Sequence, residues 1–148
     1  KDRPQPRCCT IRQKPMNGIF VDTSAWYAIV DKDDSDHKAA VAFHSSNTIP
    51  LITTNAVFSE TLTLIRYRIG HDAARIFGQK LRESSFVRSV AVTSTDEERA
   101  WEVFTKYQDQ DFSFADCTSF ALMQRLKIGT AFTFDRHFSV MKFGVVPG

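Results

Sequence analysis

The chain has 148 residues, 43% of them hydrophobic, and a formal net charge of +2 at neutral pH. That length and apolar content predict one globular domain with a sizeable core. No apolar run approaches the roughly 20 residues of a membrane span, and the start lacks the apolar segment of a signal peptide. We therefore expect a soluble, cytoplasmic protein. Cys8 and Cys9 are adjacent and Cys117 stands alone, which excludes a disulfide framework or a zinc spacing.

Residues 1–15 differ from the rest of the chain. They carry five basic residues against Asp2, a net charge of +4, so the remainder has a net charge of −2. Three of the five prolines also fall here, without any periodicity. This composition predicts a disordered leader, native or left by cloning, ahead of a single domain over residues 16–148. The alternative is a basic arm that contacts nucleic acid.

Short apolar segments alternate with helical patterns through residues 16–148. Strands are predicted at residues 18–21, 50–54, 88–93, 130–134 and 145–146. Helices are predicted at residues 23–30, 36–43, 55–69, 71–81, 95–107, 115–128 and 136–141. The alternation predicts an α/β fold, with a central parallel sheet of about five strands and helices on both faces, joined by right-handed crossovers.

Several of the predicted helices carry end signals and an apolar stripe. Asp22 and Asn55 are predicted N-caps, the segment from Thr95 to Glu98 fits a capping box, and Gly129 is a predicted C-terminal stop. The side chains predicted to face the core are Phe58, Leu62, Ile65, Ile69, Ala74, Phe77, Leu81, Trp101, Phe104 and Tyr107.

Acidic residues recur where an apolar strand or loop turns into a helix. Asp22 directly follows the first predicted strand, and Asp135 directly follows the fourth. Asp116 lies three residues after the predicted N-cap Ser113, so a capping box alone would account for it. Glu60 lies on an otherwise apolar helix face, where the structural alternative is an edge position paired with a neighbouring arginine.

In a parallel sheet, the strand ends followed by Asp22 and Asp135 open onto one edge, where α/β proteins bind their ligands. Glu60 and Asp116 are near enough in the predicted topology to approach that edge. Clustered carboxylates repel one another unless a cation is present. All-oxygen ligation favours Mg²⁺ or Mn²⁺ over zinc, and such a site supports phosphodiester hydrolysis. Arg66, Arg68 and Arg75 are candidate contacts to an RNA backbone, or simply part of a solvated basic face.

Four segments resemble the four acidic motifs of PIN-domain ribonucleases, most closely the VapC-type toxins of toxin–antitoxin pairs. These segments are Ile19 to Ser24, Asn55 to Glu60, Phe112 to Phe120 and Thr133 to Phe138. The resemblance implies a three-layer α/β/α domain and a metal-dependent endoribonuclease with an acidic quartet of Asp22, Glu60, Asp116 and Asp135, holding one or two Mg²⁺ or Mn²⁺ ions. It further implies a homodimer, an RNA substrate and an antitoxin partner. The supporting polar residues that it implies are Thr23, Ser24, Asn55, Ser113 and Thr133.

Three other functions are alternatives to the PIN-domain ribonuclease interpretation. A phosphoacceptor domain needs a second acid beside Asp22 and a suitably placed lysine, and neither is found. Nucleophilic catalysis by Cys117 would need a base, for which His137 is the only candidate. The third alternative is a catalytically inactive PIN-like module that binds RNA or protein.

Overall fold

Five short parallel strands form the central sheet of the computed structural model, which describes residues 16–148. The strands are β1 Ile19–Val21, β2 Leu51–Thr54, β3 Val87–Val90, β4 Thr130–Phe132 and β5 Gly144–Val146. The helices are α1 Thr23–Val30, α2 His37–Ser46, α3 Asn55–Arg68, α4 His71–Glu83, α5 Ser94–Lys106, α6 Phe114–Leu126 and α7 His137–Val140. The predictions made for residues 1–15 lie outside the described residues.

The strand order is β3-β2-β1-β4-β5, and every pair is parallel. The chain therefore moves outward from β1 in one direction through β2 and β3, then returns to β4 on the other side of β1. Because such crossovers are right-handed, α1 to α4 cover one face and α5 to α7 the other. The three-layer α/β/α prediction is confirmed. The reversal between β1 and β4 leaves a crevice at their carboxyl ends.

Helix α6 is buried without interruption from Asp116 to Met123. It packs closely against α5. The centre of the Phe120 ring lies 5.1 Å from the ring centres of both Phe112 and Phe138. Phe138 in turn lies 6.1 Å from Phe20 of β1. These aromatic contacts join the loop before α6 and α6 itself to α7 and β1.

Three helix ends differ from their predictions. The side chain of Thr54 caps α3, because Thr54 keeps an extended backbone and accepts from the N–H of Val57, so Asn55 is already helical. The capping box of α5 joins Thr93 to Asp96, two residues before the predicted one. Helix α6 ends with Lys127 in the left-handed region, at φ 55°, and Gly129 lies beyond the helix.

The inward face predicted for α5 is wrong for two of its three residues, since only Tyr107 packs against the core. Trp101 is 59% exposed and Phe104 is 42% exposed, and their rings stack at 5.9 Å. Phe114 joins them edge-on at 6.2 Å, and we call these three residues the aromatic patch. In α5 the small Ala100 faces the interior instead, which lets α5 approach α6 closely. Ile69 is also exposed, whereas Ala74, Phe77 and Leu81 are buried as predicted.

Among residues 16–148, no helix combines the length and the apolar character that crossing a membrane requires.

Candidate active site

Asp22 directly follows β1 and is held by hydroxyl groups of Ser24, in α1, and Thr133, which follows β4. Its Oδ2 accepts hydrogen bonds from Ser24 Oγ at 2.9 Å and from Thr133 Oγ1 at 3.1 Å. Ser24 Oγ in turn accepts from the N–H of Phe134, and Thr133 Oγ1 accepts from the N–H of Asp135. The network therefore ties the end of β1 to the segment after β4. Asp22 is 5% exposed, and its Oδ1 makes no hydrogen bond to the part of the chain that the structure describes.

Asp116 completes the capping box of α6 and also lines the groove. In this box, Asp116 Oδ2 accepts from the N–H of Ser113 at 3.1 Å and Ser113 Oγ accepts from the N–H of Asp116 at 3.0 Å. The same Oδ2 lies 3.0 Å from Nδ1 of His137. The cap therefore fixes the carboxylate rotamer and directs the group toward α7.

Asp135 lies in the turn between β4 and α7. Its Oδ1 accepts from the N–H of His137 at 3.0 Å, and its Oδ2 lies 3.1 Å from Nδ1 of the same residue. One oxygen from each of Asp116 and Asp135 can be chosen so that these two and a ring nitrogen of His137 all lie within 4.8 Å of one another. The cluster is compact enough for one metal ion.

Glu60 lies in the second turn of α3, on the wall of the same groove. It is more exposed than the three aspartates, and it forms no ion pair with Arg66 or Arg68 within the described residues. Beside it, the buried hydroxyl of Thr61 donates to the carbonyl of Val57 and lies 3.4 Å from Thr23 Oγ1. Glu60 is thus held by the helix rather than by a salt bridge.

The groove that contains all four predicted acids has a volume of about 700 Å³. Seven carboxylates line it, together with only two arginines, Arg68 and Arg136. A polyanion would be repelled from a surface with this balance of charge unless cations were bound there.

The pKa values of the acids reflect this crowding. Burial, with the charge of Asp116 adding to it, raises the pKa of Asp22 to about 6. Desolvation also raises the pKa of Asp116, and it raises that of Glu60 with a smaller contribution from Asp116. A divalent cation would relieve the repulsion, and the oxygen-rich donor set fits Mg²⁺ or Mn²⁺.

The remaining predicted residues divide into those near the groove and those away from it. Thr23, Ser24 and Ser113 line the groove, and Thr133 hydrogen-bonds Asp22 from beneath it. Asn55 does not reach the groove: its Oδ1 accepts from the N–H of Val92 and anchors the loop after β3.

Of the three arginines predicted to contact RNA, only one lies in the groove. Arg68 lies in the groove with its guanidinium 5.2 Å from the ring centre of Tyr27. Arg66 and Arg75 line a different depression, between α3 and α4. Arg136 was not predicted from the sequence, although its position next to Asp135 was a signal for it.

Cys117 is not a nucleophile. Its side chain is buried, and burial raises the pKa of its thiol to about 11, so no useful fraction of thiolate exists near neutral pH. The imidazole of His137, the only candidate base, is directed at Asp116 and Asp135 instead.

The chain is similar to known proteins. The family model of the PIN domain matches residues 19–144. The chain is 40% identical over 125 residues to the 23S rRNA-specific endonuclease VapC20 of Mycobacterium tuberculosis, which covers 84% of this chain and 95% of the relative. It is 30% identical over 136 residues to ribonuclease VapC26 of the same species, which covers 87% of this chain and 100% of the relative.

Two solved structures are similar to this chain in fold. The crystal structure of M. tuberculosis VapC20, described as a sarcin-ricin loop cleaving toxin, has a TM-score of 0.81 at 39% identity, covering 85% of this chain and 96% of that one. FitAcB from Neisseria gonorrhoeae, with a TM-score of 0.65 at 14% identity, covers 86% of this chain and 95% of that one and shows the fold alone. The chain therefore belongs to the PIN-domain family, among the VapC-type proteins.

Proposed function

We propose that this protein is a Mg²⁺- or Mn²⁺-dependent endoribonuclease that hydrolyses RNA phosphodiester bonds in the acidic groove. The observation that carries the proposal is the position of Asp22, Glu60, Asp116 and Asp135, which come from four separate segments and line one groove at the crevice between β1 and β4. The raised pKa values of Asp22, Glu60 and Asp116 are what a site prepared for a cation would have before the cation binds.

Each acid has a role that its surroundings support. Asp22 and Asp116 would bind the ion directly. One oxygen of Asp22 makes no hydrogen bond within the described residues, and Asp116 belongs to the cluster, with Asp135 and His137, whose donor atoms are close enough to share an ion. Glu60 would be a further ligand or would orient the attacking water. Asp135 would bind the same ion or a second one, directly or through a water. The bound ion supplies Lewis acidity toward water and toward the phosphate.

The substrate that we propose is structured ribosomal RNA. VapC20 is a 23S rRNA-specific endonuclease and is described as cleaving the sarcin-ricin loop. It is 40% identical to this chain over 125 residues. Arg68, at the groove wall, would contact a backbone phosphate next to the cleaved one, since a guanidinium binds phosphate oxygens in a bidentate manner. Arg66 and Arg75 lie farther along α3 and α4 and would contact only an RNA that extends past the groove.

The test is cleavage of a synthetic sarcin-ricin loop hairpin, beside a hairpin with a scrambled loop, in Mn²⁺, in Mg²⁺ and in EDTA. We expect the wild type to cut the first hairpin at one position with either ion and to stop in EDTA. Asp116→Asn should fold normally and lose at least about a hundredfold in rate, because the acids act as a unit. Asp72→Asn is the matched control, since that side chain is 88% exposed on α4.

Two outcomes of this assay would contradict the proposal. Equal cleavage in EDTA would point to a contaminating or metal-independent nuclease. Tight RNA binding without cleavage in any ion would favour the inactive PIN-like binding module.

We further infer that the protein is the toxin of a toxin–antitoxin pair and forms a homodimer. The toxin description of its relative VapC20 supports the first inference. The aromatic patch supports the second, because stacked, exposed aromatic residues are typical of the buried centre of an interface. Light scattering should give twice the chain mass, and Trp101→Lys should give the monomer mass. A monomeric wild type would contradict this assembly.

A further inference from the structure

His137 lines the acidic groove, although the resemblance to PIN-domain nucleases assigns only carboxylates to the metal. Its Nδ1 is 3.0 Å from Asp116 Oδ2 and 3.1 Å from Asp135 Oδ2. Among the described residues, these three side chains form the one group of acids, histidines and cysteines with donor atoms close enough to share an ion.

The imidazole ring is held in this position from three sides. The backbone N–H of His137 donates to Asp135 Oδ1, which fixes the turn before α7. The ring of Phe112 contacts the imidazole edge-on with a centroid distance of 5.2 Å. The side chain of His137 is only 13% exposed. The ring therefore has little freedom to turn away from the two carboxylates.

We propose that His137 is a nitrogen ligand of the divalent ion, binding it through Nδ1 between Asp116 and Asp135. This inference rests on the proposed metal-dependent function. Adjacent ligands of an octahedral ion with bonds of about 2.1 Å are separated by about 3 Å. The two measured separations, 3.0 Å and 3.1 Å, match that spacing, so one ion replaces the two hydrogen-bond contacts with little movement of the ring.

The second ring nitrogen allows this tautomer. Nε2 makes no hydrogen bond to residues 16–148, so it can keep the ring proton while Nδ1 faces the two carboxylates. Nδ1 is then left with a lone pair for the ion. The carboxylates of Asp116 and Asp135 on either side of Nδ1 also favour the ion, because their Oδ2 atoms can ligate it without moving from their present positions.

The nitrogen ligand has a consequence for the choice of metal. Carboxylate oxygens bind Mg²⁺ and Mn²⁺ comparably, whereas an imidazole nitrogen adds affinity for a transition ion and little for Mg²⁺. We therefore expect His137→Gln to weaken Mn²⁺ binding at least about tenfold and to change Mg²⁺ binding much less. His44→Gln is the matched control, because His44 lies exposed on α2 beside a different depression.

The experiment is electron spin echo spectroscopy of the full chain loaded with Mn²⁺, which detects a directly bound nitrogen by its ¹⁴N coupling. Wild type and His44→Gln should both show the coupling, and His137→Gln should bind Mn²⁺ more weakly and lack it. A thermal melt of each variant establishes that it is folded, and calorimetric titration with Mn²⁺ and Mg²⁺ measures the two affinities.

The other outcomes separate this inference from the proposed function. Mn²⁺ bound without ¹⁴N coupling in the wild type would overturn the role of His137 and leave the carboxylate site intact. Coupling that persists in His137→Gln would also overturn it. A wild type that binds neither ion would overturn both the inference and the metal-dependent function.

Discussion

Asp22 combines deep burial with a position among other acids. Two hydroxyl groups donate to its Oδ2, which partly offsets the loss of water around the carboxylate. That compensation is incomplete, since burial and the neighbouring Asp116 still raise the pKa of Asp22 to about 6. Ionised Asp22 is therefore a source of strain in the metal-free protein, and a bound cation would remove it.

This strain predicts how Asp22→Asn changes stability with pH. Because the pKa is raised from 3.8 to about 6, the proton favours the folded state. The stability contributed by the protonated group is complete below pH 3.8 and is lost as the pH rises through about 6. In EDTA at pH 7.5, Asp22→Asn should therefore be more stable than the wild type by about 2 to 3 kcal/mol in the free energy of unfolding.

Urea denaturation at pH 7.5 and pH 4 checks this prediction. The difference between the two proteins should shrink toward zero at pH 4, and Asp72→Asn should show no difference at either pH. Addition of Mn²⁺ should stabilise the wild type and leave Asp22→Asn unchanged. A variant that is less stable than the wild type at pH 7.5 would show that Asp22 is not strained by its charge.

Arg68 is the predicted arginine that the fold brings into the groove. Its contact with Tyr27 orients the guanidinium on the groove wall, where a phosphate can reach it. We expect Arg68→Gln to raise the KM for the hairpin RNA about tenfold, with kcat nearly unchanged. The slope of the logarithm of the binding constant against the logarithm of salt concentration should become shallower by about one, the value for one lost phosphate contact.

Arg75→Gln is the control for this measurement, because Arg75 lies in the depression between α3 and α4 and is already close to Asp72. A larger effect from Arg75→Gln than from Arg68→Gln would place the RNA on the other side of α3.

At the level of elements, the contact between α5 and α6 contains a partly buried ion pair. Arg125 of α6 donates through Nε and a terminal nitrogen to both oxygens of Asp96, at 2.8 Å and 2.9 Å. Asp96 is fully buried and also completes the capping box of α5 with Thr93. The pair thus holds the two helices that position Ser113 and Asp116.

Asp96→Ala should destabilise the protein by about 3 kcal/mol, because it removes the cap and leaves the Arg125 guanidinium without its partner. Chemical denaturation measures the change, and Glu98→Ala, exposed on the same helix, should stay within about 0.5 kcal/mol of the wild type. A change below about 1 kcal/mol for Asp96→Ala would mean that the pair does not join the helices.

The order and type of the elements could be predicted from the sequence, but several details at their ends could not. Thr54 and Asn55 are both good caps, and only the extended backbone of Thr54 decides between them. The large side chains of Trp101 and Phe104 suggested a core face, yet tertiary packing gives that position to Ala100. A pattern of apolar residues cannot distinguish a buried face from an exposed aromatic patch.

At the level of the whole molecule, the parallel sheet is what gathers the site. Asp22 and Asp135 had to share an edge because β1 and β4 are parallel neighbours, so their proximity was predictable from topology. The position of Asp116 followed from its capping box. The contact of His137 with two carboxylates was not predictable, since it depends on the turn at Asp135 and on the Phe112 ring beside it.

A crystal structure of the protein grown with Mn²⁺, with anomalous data collected at the manganese edge, would locate the ion. We expect an anomalous peak in the groove, within about 2.2 Å of carboxylate oxygens of Asp116 and Asp135 and of Nδ1 of His137, with Asp22 bound to the ion directly or through a water. An anomalous map with no peak in the groove at saturating Mn²⁺, or a peak bound only by residues outside the acidic quartet, would contradict this expectation.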